Sequence, residues 1–352
     1  MMEIQSYRRK YTVQFTKDLD FLGDVLNKEN TYAIIDRNIL NNNLIPINLD
    51  RIPHYILDAT EENKTLAKAE EIIDELIKLK SKKNTHLVAI GGGIVQDLTC
   101  FIASVLYRGI DWTLVPTTLL AQTDSCIGSK SSINYKHFKN LVGTFYPPTN
   151  IYISPRFLDS LTDKDYRSGL GEIIKIQLMK SKKDYLNFSD NVELLLSRDP
   201  STVIQFIETT LDFKKKLIEE DEFDTGIRNT LNFGHTFGHA IETVTNYYVP
   251  HGQAVAIGVM IANKVSLKLG LIPREYEHEI STTLLKIISE EFKQKGLFDG
   301  KMIVSSMKMD KKYTGTHNCI LLTDSGARMF KNVDESVLIS SIDETVAAFA
   351  EQ

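Results

Sequence analysis

Three of the chain's eight histidines fall within 17 residues. In "LNFGHTFGHAIE", residues 231–242, His235 and His239 stand four apart in a segment that reads as helix. That spacing sets them on one face, about 6 Å apart along the axis. His251 follows a loop, "NYYVPHG", and opens the next helical stretch, so a helix–loop–helix can fold it back against His235. Joined by a carboxylate, two histidines make a zinc site that keeps one position open for substrate. HExxH metalloproteases share the histidine spacing, but Thr236 occupies the place of their glutamate, which excludes that chemistry. Lone histidines are commonly structural. Three together, beside Arg228 and Asn232, point to a site.

Three other stretches carry chemistry. In "SGLGEIIK", 168–175, Glu172 and Lys175 are i and i+3 on a helix that is otherwise apolar. They are either a local ion pair on a solvated side or buried charges that need a partner or a metal. In "THLVAIGGGIVQD", 85–97, Gly91, Gly92 and Gly93 separate a strand from a helix. Backbone there can approach a ligand closely, and the N–H groups at the helix start can hold a pyrophosphate. The alternative is a tight turn without a ligand, since the string is not GxGxxG. Asp97, Thr117 and Thr118 would all meet a nucleotide lying across the strand ends. The third stretch, 122–148, is polar and basic, and reads as a long loop in which Asp124, Lys130, Lys139 and Asn140 face a small anionic substrate. A solvated surface loop is the alternative.

The elements that must position these groups change character along the chain. Strand-like runs ("TYAIIDRNI", ending its strand at Asp36; "LVAI"; "DWTLVPTT") alternate with helical ones ("NKTLAKAEEIIDELIKLK"; "LTCFIASVLYRG"). That alternation predicts a parallel sheet with helices on both faces. Beyond about residue 158 long helical patterns dominate. The expected fold is therefore an α/β N-terminal domain over residues 1–158 and a mainly α-helical C-terminal domain over 159–352. The chain has 352 residues, 42% hydrophobic and 25% charged, enough for a sizeable core. A net charge of −5 gives no reason to expect nucleic acid as partner. Cys100, Cys126 and Cys319 are odd in number and widely spaced, unlike a disulfide framework or a CxxC zinc site. The charged opening "MMEIQSYRRKYTVQF" has no apolar h-region, and runs such as "AVAIGVMIA" are too short to span a bilayer. A cytoplasmic protein with no membrane partner is expected, as a homodimer by default.

The strings "GGGIVQD", "YRG", "VPTTLLAQTDSCIGSK", "KNLVGTFYPP", "GEIIK", "GIRNTLNFGHTFGHAIE", "HGQAVAIG" and "MDKK" occur in that order. In this the chain resembles the 3-dehydroquinate synthases and related sugar phosphate cyclases, over roughly residues 30 to 330. The resemblance implies a Rossmann-like NAD-binding domain followed by a helical metal-binding domain. It implies Glu172, His235 and His251 as ligands of zinc, with cobalt as a substitute. It turns His239 toward the substrate, near the departing phosphate. Arg108, Lys130 and Asn140, with Lys311 or Lys312, match phosphate-binding residues. Asp124, Lys175, Lys214, Arg228 and Asn232 match residues holding the substrate's carboxylate and hydroxyls. Asp36, Glu61, Lys64, Gly92, Gly93, Asp97, Thr117, Thr118 and Lys139 match the NAD site.

The implied reaction oxidises a secondary alcohol with NAD, eliminates phosphate, returns the hydride and closes the ring by an intramolecular aldol step. Catalysis would rest on His239, Lys130, Lys175 and Asp124. The expected substrate is 3-deoxy-D-arabino-heptulosonate 7-phosphate, because Arg228 offers a fork for its carboxylate. Related cyclases take sedoheptulose 7-phosphate, glucose 6-phosphate or an amino analogue. Gln96, Ser129 and Ser132 stand where the family commonly has glycine, and Cys126 is a further local variant, which keeps those substrates as the alternative. Two further alternatives are a metal-dependent polyol dehydrogenase, which would accumulate NADH, and a non-catalytic relative, which would not need all three metal ligands.

Overall fold

The computed structural model describes residues 1–352 apart from 47, 137, 295, 310–312, 314 and 350–352. The chain forms two compact units, Met1–Leu161 with Lys214–Asp224, and Thr162–Phe213 with Thr225–Gln352.

The first unit is built on a sheet. Its strands are β1 (Met2–Ile4), β2 (Tyr11–Phe15), β3 (Thr31–Asp36), β4 (His54–Leu57), β5 (His86–Gly91), β6 (Asp111–Pro116) and β9 (Asn150–Ile153). They lie in the order β1-β2-β9-β6-β5-β3-β4, parallel except for the β1–β2 pair. Runs such as "TYAIID" in β3 are buried at every residue, as parallel strands covered on both faces require. The helices between the strands are α1 (Phe21–Leu26), α2 (Arg37–Asn41), α3 (Leu66–Lys78) and α4 (Gly93–Val105). Helix α3 starts where Thr65 accepts a hydrogen bond from the Lys68 N–H, and it buries Ala69, Ile72 and Leu76 on one stripe.

Most of the described residues of the stretch expected as a long loop form regular elements. Residues Ala121–Ser125 form a π-helical turn, and β7 (Lys130–Tyr135) pairs antiparallel with β8 (Phe138–Phe145). Strand β8 has no fully buried residue, and its exposed positions include Phe138, Leu141 and Phe145, so its sequence lacks a clean apolar-in, polar-out alternation.

The second unit is mainly helical: α5 (Asp163–Lys180), α6 (Lys182–Asp190), α7 (Val192–Leu196), α8 (Pro200–Glu220), α9 (His235–Val244), α10 (His251–Lys268), α11 (Arg274–Ile287), α12 (Gly300–Met309) and α13 (Glu335–Ala348). The end of α8, from Lys214, belongs to the first unit. One hairpin, β10 (Cys319–Thr323) with β11 (Gly326–Phe330), interrupts the helices. Helix α10 is buried from Gly252 to Asn263 and packs against α5, α9 and α13. A helix apolar on all sides must be the centre of its unit. Among the described residues no helix is long and apolar enough to cross a membrane.

Candidate active site

Helices α5, α9 and α10 meet through glycines that sit next to the chemistry. A Cβ on Gly171 would lie 2.1 Å from the Gly252 carbonyl oxygen, and one on Gly258 would lie 2.1 Å from that of Gly234. Only glycine permits these approaches, and each pair adjoins a candidate ligand: Glu172 and His251 in the first, His235 in the second. The three residues converge as a result. Glu172 Oε1 lies 3.7 Å from His235 Nε2 and 3.6 Å from His251 Nε2. One ligand atom from each falls within 4.8 Å of the others.

The donor groups themselves suit a cation. Glu172 is fully buried, and neither of its oxygens completes a hydrogen bond, although Lys175 stands in ion-pair contact with Oε2. Burial depresses the His235 pKa well below its ordinary value, and Lys175, His251 and His239 push it the same way. A neutral imidazole is the form that binds metal. Both histidines engage Nδ1 elsewhere: His235 with the Phe233 carbonyl at 3.2 Å, His251 with Glu242 Oε2 at 3.1 Å. Their Nε2 atoms are left facing Glu172. An orphaned buried carboxylate between two imidazoles is a donor set that fits zinc. The ring of His239 lies 5.4 Å from that of His235 and 5.9 Å from that of His251. Arg228 is buried on a 3₁₀ turn that ends at Asn232, whose side-chain amide donates to the Asn229 carbonyl.

In the first unit, β5 leads through Gly91 and Gly92 into α4. A Cβ on Gly92 would come 3.0 Å from Thr118 Cγ2, so glycine there lets the Thr117–Thr118 turn close on the start of the helix. One turn on, Asp97 accepts an ion pair from Lys64 at 2.6 Å. Burial raises the Asp97 pKa, with Lys64 opposing it. Lys64 also donates to Asn140 Oδ1 at 2.7 Å, and Ser132 donates to the same oxygen. Asn140 therefore sits with the expected NAD residues Lys64 and Asp97. Glu61 accepts from Asn134 at 2.8 Å. Asp36, at the end of β3, caps α2 by accepting from the Asn38 N–H.

Two more ion pairs hold expected substrate residues in this unit. Lys214 donates to Asp124 Oδ1 at 2.7 Å, and Lys130 pairs with Asp224 at 2.6 Å. Arg108 stands exposed on a turn where Tyr107, Arg108 and Gly109 all have positive φ. Lys139 is half-buried on β8. Lys311 and Lys312 lie outside the described residues.

Sequence reasoning passed over Asp224, Asn134 and Glu242. Glu242 was detectable: it is seven residues after His235 and three after His239, hence on their face of α9. Asp224 lies in an acidic run, "EEDEFD", that gives no cue to which member folds inward.

Models of the 3-dehydroquinate synthase N-terminal and C-terminal families match residues 54–168 and 169–313. The 3-dehydroquinate synthase of Dictyoglomus turgidum is 34% identical over 97% of this chain and 91% of its own. That of Alkaliphilus oremlandii is 36% identical over 85% of this chain and 82% of its own. Among solved structures, a 2-deoxy-scyllo-inosose synthase complexed with carbaglucose-6-phosphate, NAD+ and Co2+ superposes with TM-score 0.82 at 24% identity, over 97% of this chain and 99% of that one. A 2-epi-5-epi-valiolone synthase from Streptomyces hygroscopicus with NAD+ and Zn2+ gives 0.84 at 20%, over 99% and 98%. The fold extends further, to a probable glycerol dehydrogenase from Sinorhizobium meliloti at TM-score 0.61 and 13% identity, over 97% and 98%. Family models matched across residues 54–313, together with bacterial relatives identical at about one residue in three over 85% or more of this chain, place it in the 3-dehydroquinate synthase family.

Proposed function

We propose that the protein converts 3-deoxy-D-arabino-heptulosonate 7-phosphate to 3-dehydroquinate and phosphate, with NAD as a recycled oxidant and zinc, or cobalt, on Glu172, His235 and His251. The observation that carries the reading is the fully buried Glu172, which completes no hydrogen bond and lies between two imidazoles whose Nε2 atoms face it. When bound, the ion supplies Lewis-acid polarisation of the substrate oxygen, and NAD supplies a reversible hydride acceptor.

The chain's own residues bind and orient. Arg228 takes the substrate carboxylate as a fork, and Asn232, Lys175, Lys214 and Asp124 hold its carboxylate and hydroxyls. Lys130, Asn140, Arg108, His239 and a lysine from 311–312 hold the phosphate. Lys130 and Lys214 are now neutralised by Asp224 and Asp124. Substrate anions compete with those carboxylates. Asp36 takes a ribose hydroxyl of NAD, while Gly92, Gly93, Thr117 and Thr118 approach its pyrophosphate, and Glu61, Lys64, Asp97 and Lys139 complete the site. NAD binding belongs to residues 1–158 and metal binding to 159–352, and both stretches contribute substrate residues. The enzyme acts in the cytoplasm as a homodimer.

The test is inorganic phosphate release with zinc and substoichiometric NAD. Turnover of the heptulosonate phosphate alone, without net NADH, is expected. Turnover of sedoheptulose 7-phosphate or glucose 6-phosphate instead would overturn the substrate assignment, and net NADH would overturn the cyclase reading.

A further inference from the structure

We infer that Glu242 is a positioning residue for the metal: it fixes the tautomer and orientation of His251 and balances the charge of the ion. The inference rests on the metal assignment above. Glu242 Oε2 lies 3.1 Å from His251 Nδ1, while His251 Nε2 lies 3.6 Å from Glu172 Oε1. An imidazole whose Nδ1–H is held by a carboxylate offers the Nε2 lone pair, and the held ring is also the more basic ligand. His235 reaches the same tautomer through a neutral carbonyl, that of Phe233. Among the described residues, His251 is the ligand histidine whose Nδ1 meets a charged group.

His251 is also the ligand that most needs holding. Its side chain is 34% exposed, against 12% for His235 and 0% for Glu172. Both histidines are the first residues of their helices, α9 and α10, where the helix dipole places positive charge and disfavours a cation. Lys175 adds another positive charge beside Glu172. One carboxylate cannot offset a divalent ion in such surroundings. Glu242, seven residues along α9 from His235, supplies the second.

Glu242 could instead be a ligand, because His239, Glu242 and His251 also bring ligand atoms within 4.8 Å. Burial decides against it. Glu242 keeps 15% of its side chain exposed, and water can solvate it. Glu172 has no such recourse, so the ion goes to Glu172 and takes His251 by Nε2, leaving Nδ1 to Glu242.

Competition with a chromophoric chelator measures Zn2+ affinity and stoichiometry without any turnover. Wild type is expected to bind one ion. Glu242→Ala is expected to bind one ion roughly 10- to 100-fold more weakly, the range for such outer partners. Glu242→Gln, which still accepts from Nδ1 but lacks the charge, should fall between them. The metal-free Tm of both variants should match wild type. An unchanged Kd in Glu242→Ala, with Glu172→Gln no longer binding, overturns the inference and leaves the metal assignment standing. Loss of one of two bound ions in Glu242→Ala would make Glu242 a ligand of a second ion, which also overturns it. Failure of wild type to bind zinc would remove the metal assignment itself.

Discussion

At Glu172 two costs compete. Removing a carboxylate from water is unfavourable by several kcal/mol, and its attraction to Lys175 offsets this only when the geometry and the remaining hydrogen bonds are good. Here those hydrogen bonds are absent. A pair of this kind, 0% and 1% exposed, is poorly justified as a stabilising device and well justified as a site waiting for a cation. Glu172→Gln is therefore predicted to do two separable things. It should abolish stoichiometric zinc binding while NAD still binds. It should also destabilise the metal-free protein by about 3 kcal/mol, because Lys175 is left buried without its counter-charge. Urea unfolding of the chelator-treated proteins checks the second part. A variant as stable as wild type would mean that Lys175 is neutral or finds another partner, and the charge account of the site would be wrong.

The helices deliver the ligands, and their close approach is the element-scale cause of the site. On Gly252 a Cβ would meet the Ser168 carbonyl oxygen at 2.0 Å, which is backbone and cannot rotate away. Gly252→Ala must part α5 from α10, and is predicted to cost about 1–3 kcal/mol by overpacking and to weaken zinc binding by displacing His251 from Glu172. Gly23→Ala is the control. Gly23 lies inside α1 with nothing within 4 Å of its would-be Cβ, so the same change should be neutral or stabilise by up to about 1 kcal/mol. Equal effects at the two positions would show that helix contact is not what Gly252 is for. Sequence reading stops at this point. It reaches β3, β5, β6 and α3, where burial writes a continuous apolar run or a 3.6-residue stripe, and it reaches the grouping of His235 and His251 through residue type and spacing, whereas Glu172 as their partner is implied only by the family resemblance. It does not reach the Gly171–Gly252 or Gly234–Gly258 contacts, because a glycine in a helix looks the same whether it faces water or another backbone. It also misses the β7–β8 hairpin, because the buried positions of β7 include the polar Ser131 and Asn134 beside Ile133, which blurs the apolar alternation of a strand.

At the scale of the whole molecule, the two units have different cores, and the proposed NAD and metal residues fall one set in each. The first is organised around sheet residues such as Ala33, Ile35, Val88, Ile90 and Val115. The second is organised around α10. No disulfide contributes to either: Cys100, Cys126 and Cys319 are free and buried, and burial pushes each thiol up to about 12. Ligands are then the strongest external handle on stability. One that binds only the folded state at 100 times its Kd adds about 2.7 kcal/mol. If each core opens as its own cooperative unit, that increment appears only in the unit that binds. Hydrogen exchange with zinc at such an excess is predicted to slow the amides of α10 and α9 by up to about 100-fold and leave β3 and β5 unchanged. NAD is predicted to do the reverse, slowing β5 and the first turn of α4. Equal slowing of both sets by zinc alone would show a single cooperative unit. In that case the metal would report on the NAD sheet as strongly as on the helices that hold it, and the division of the chain into two ligand-bearing domains would describe its architecture but not its energetics.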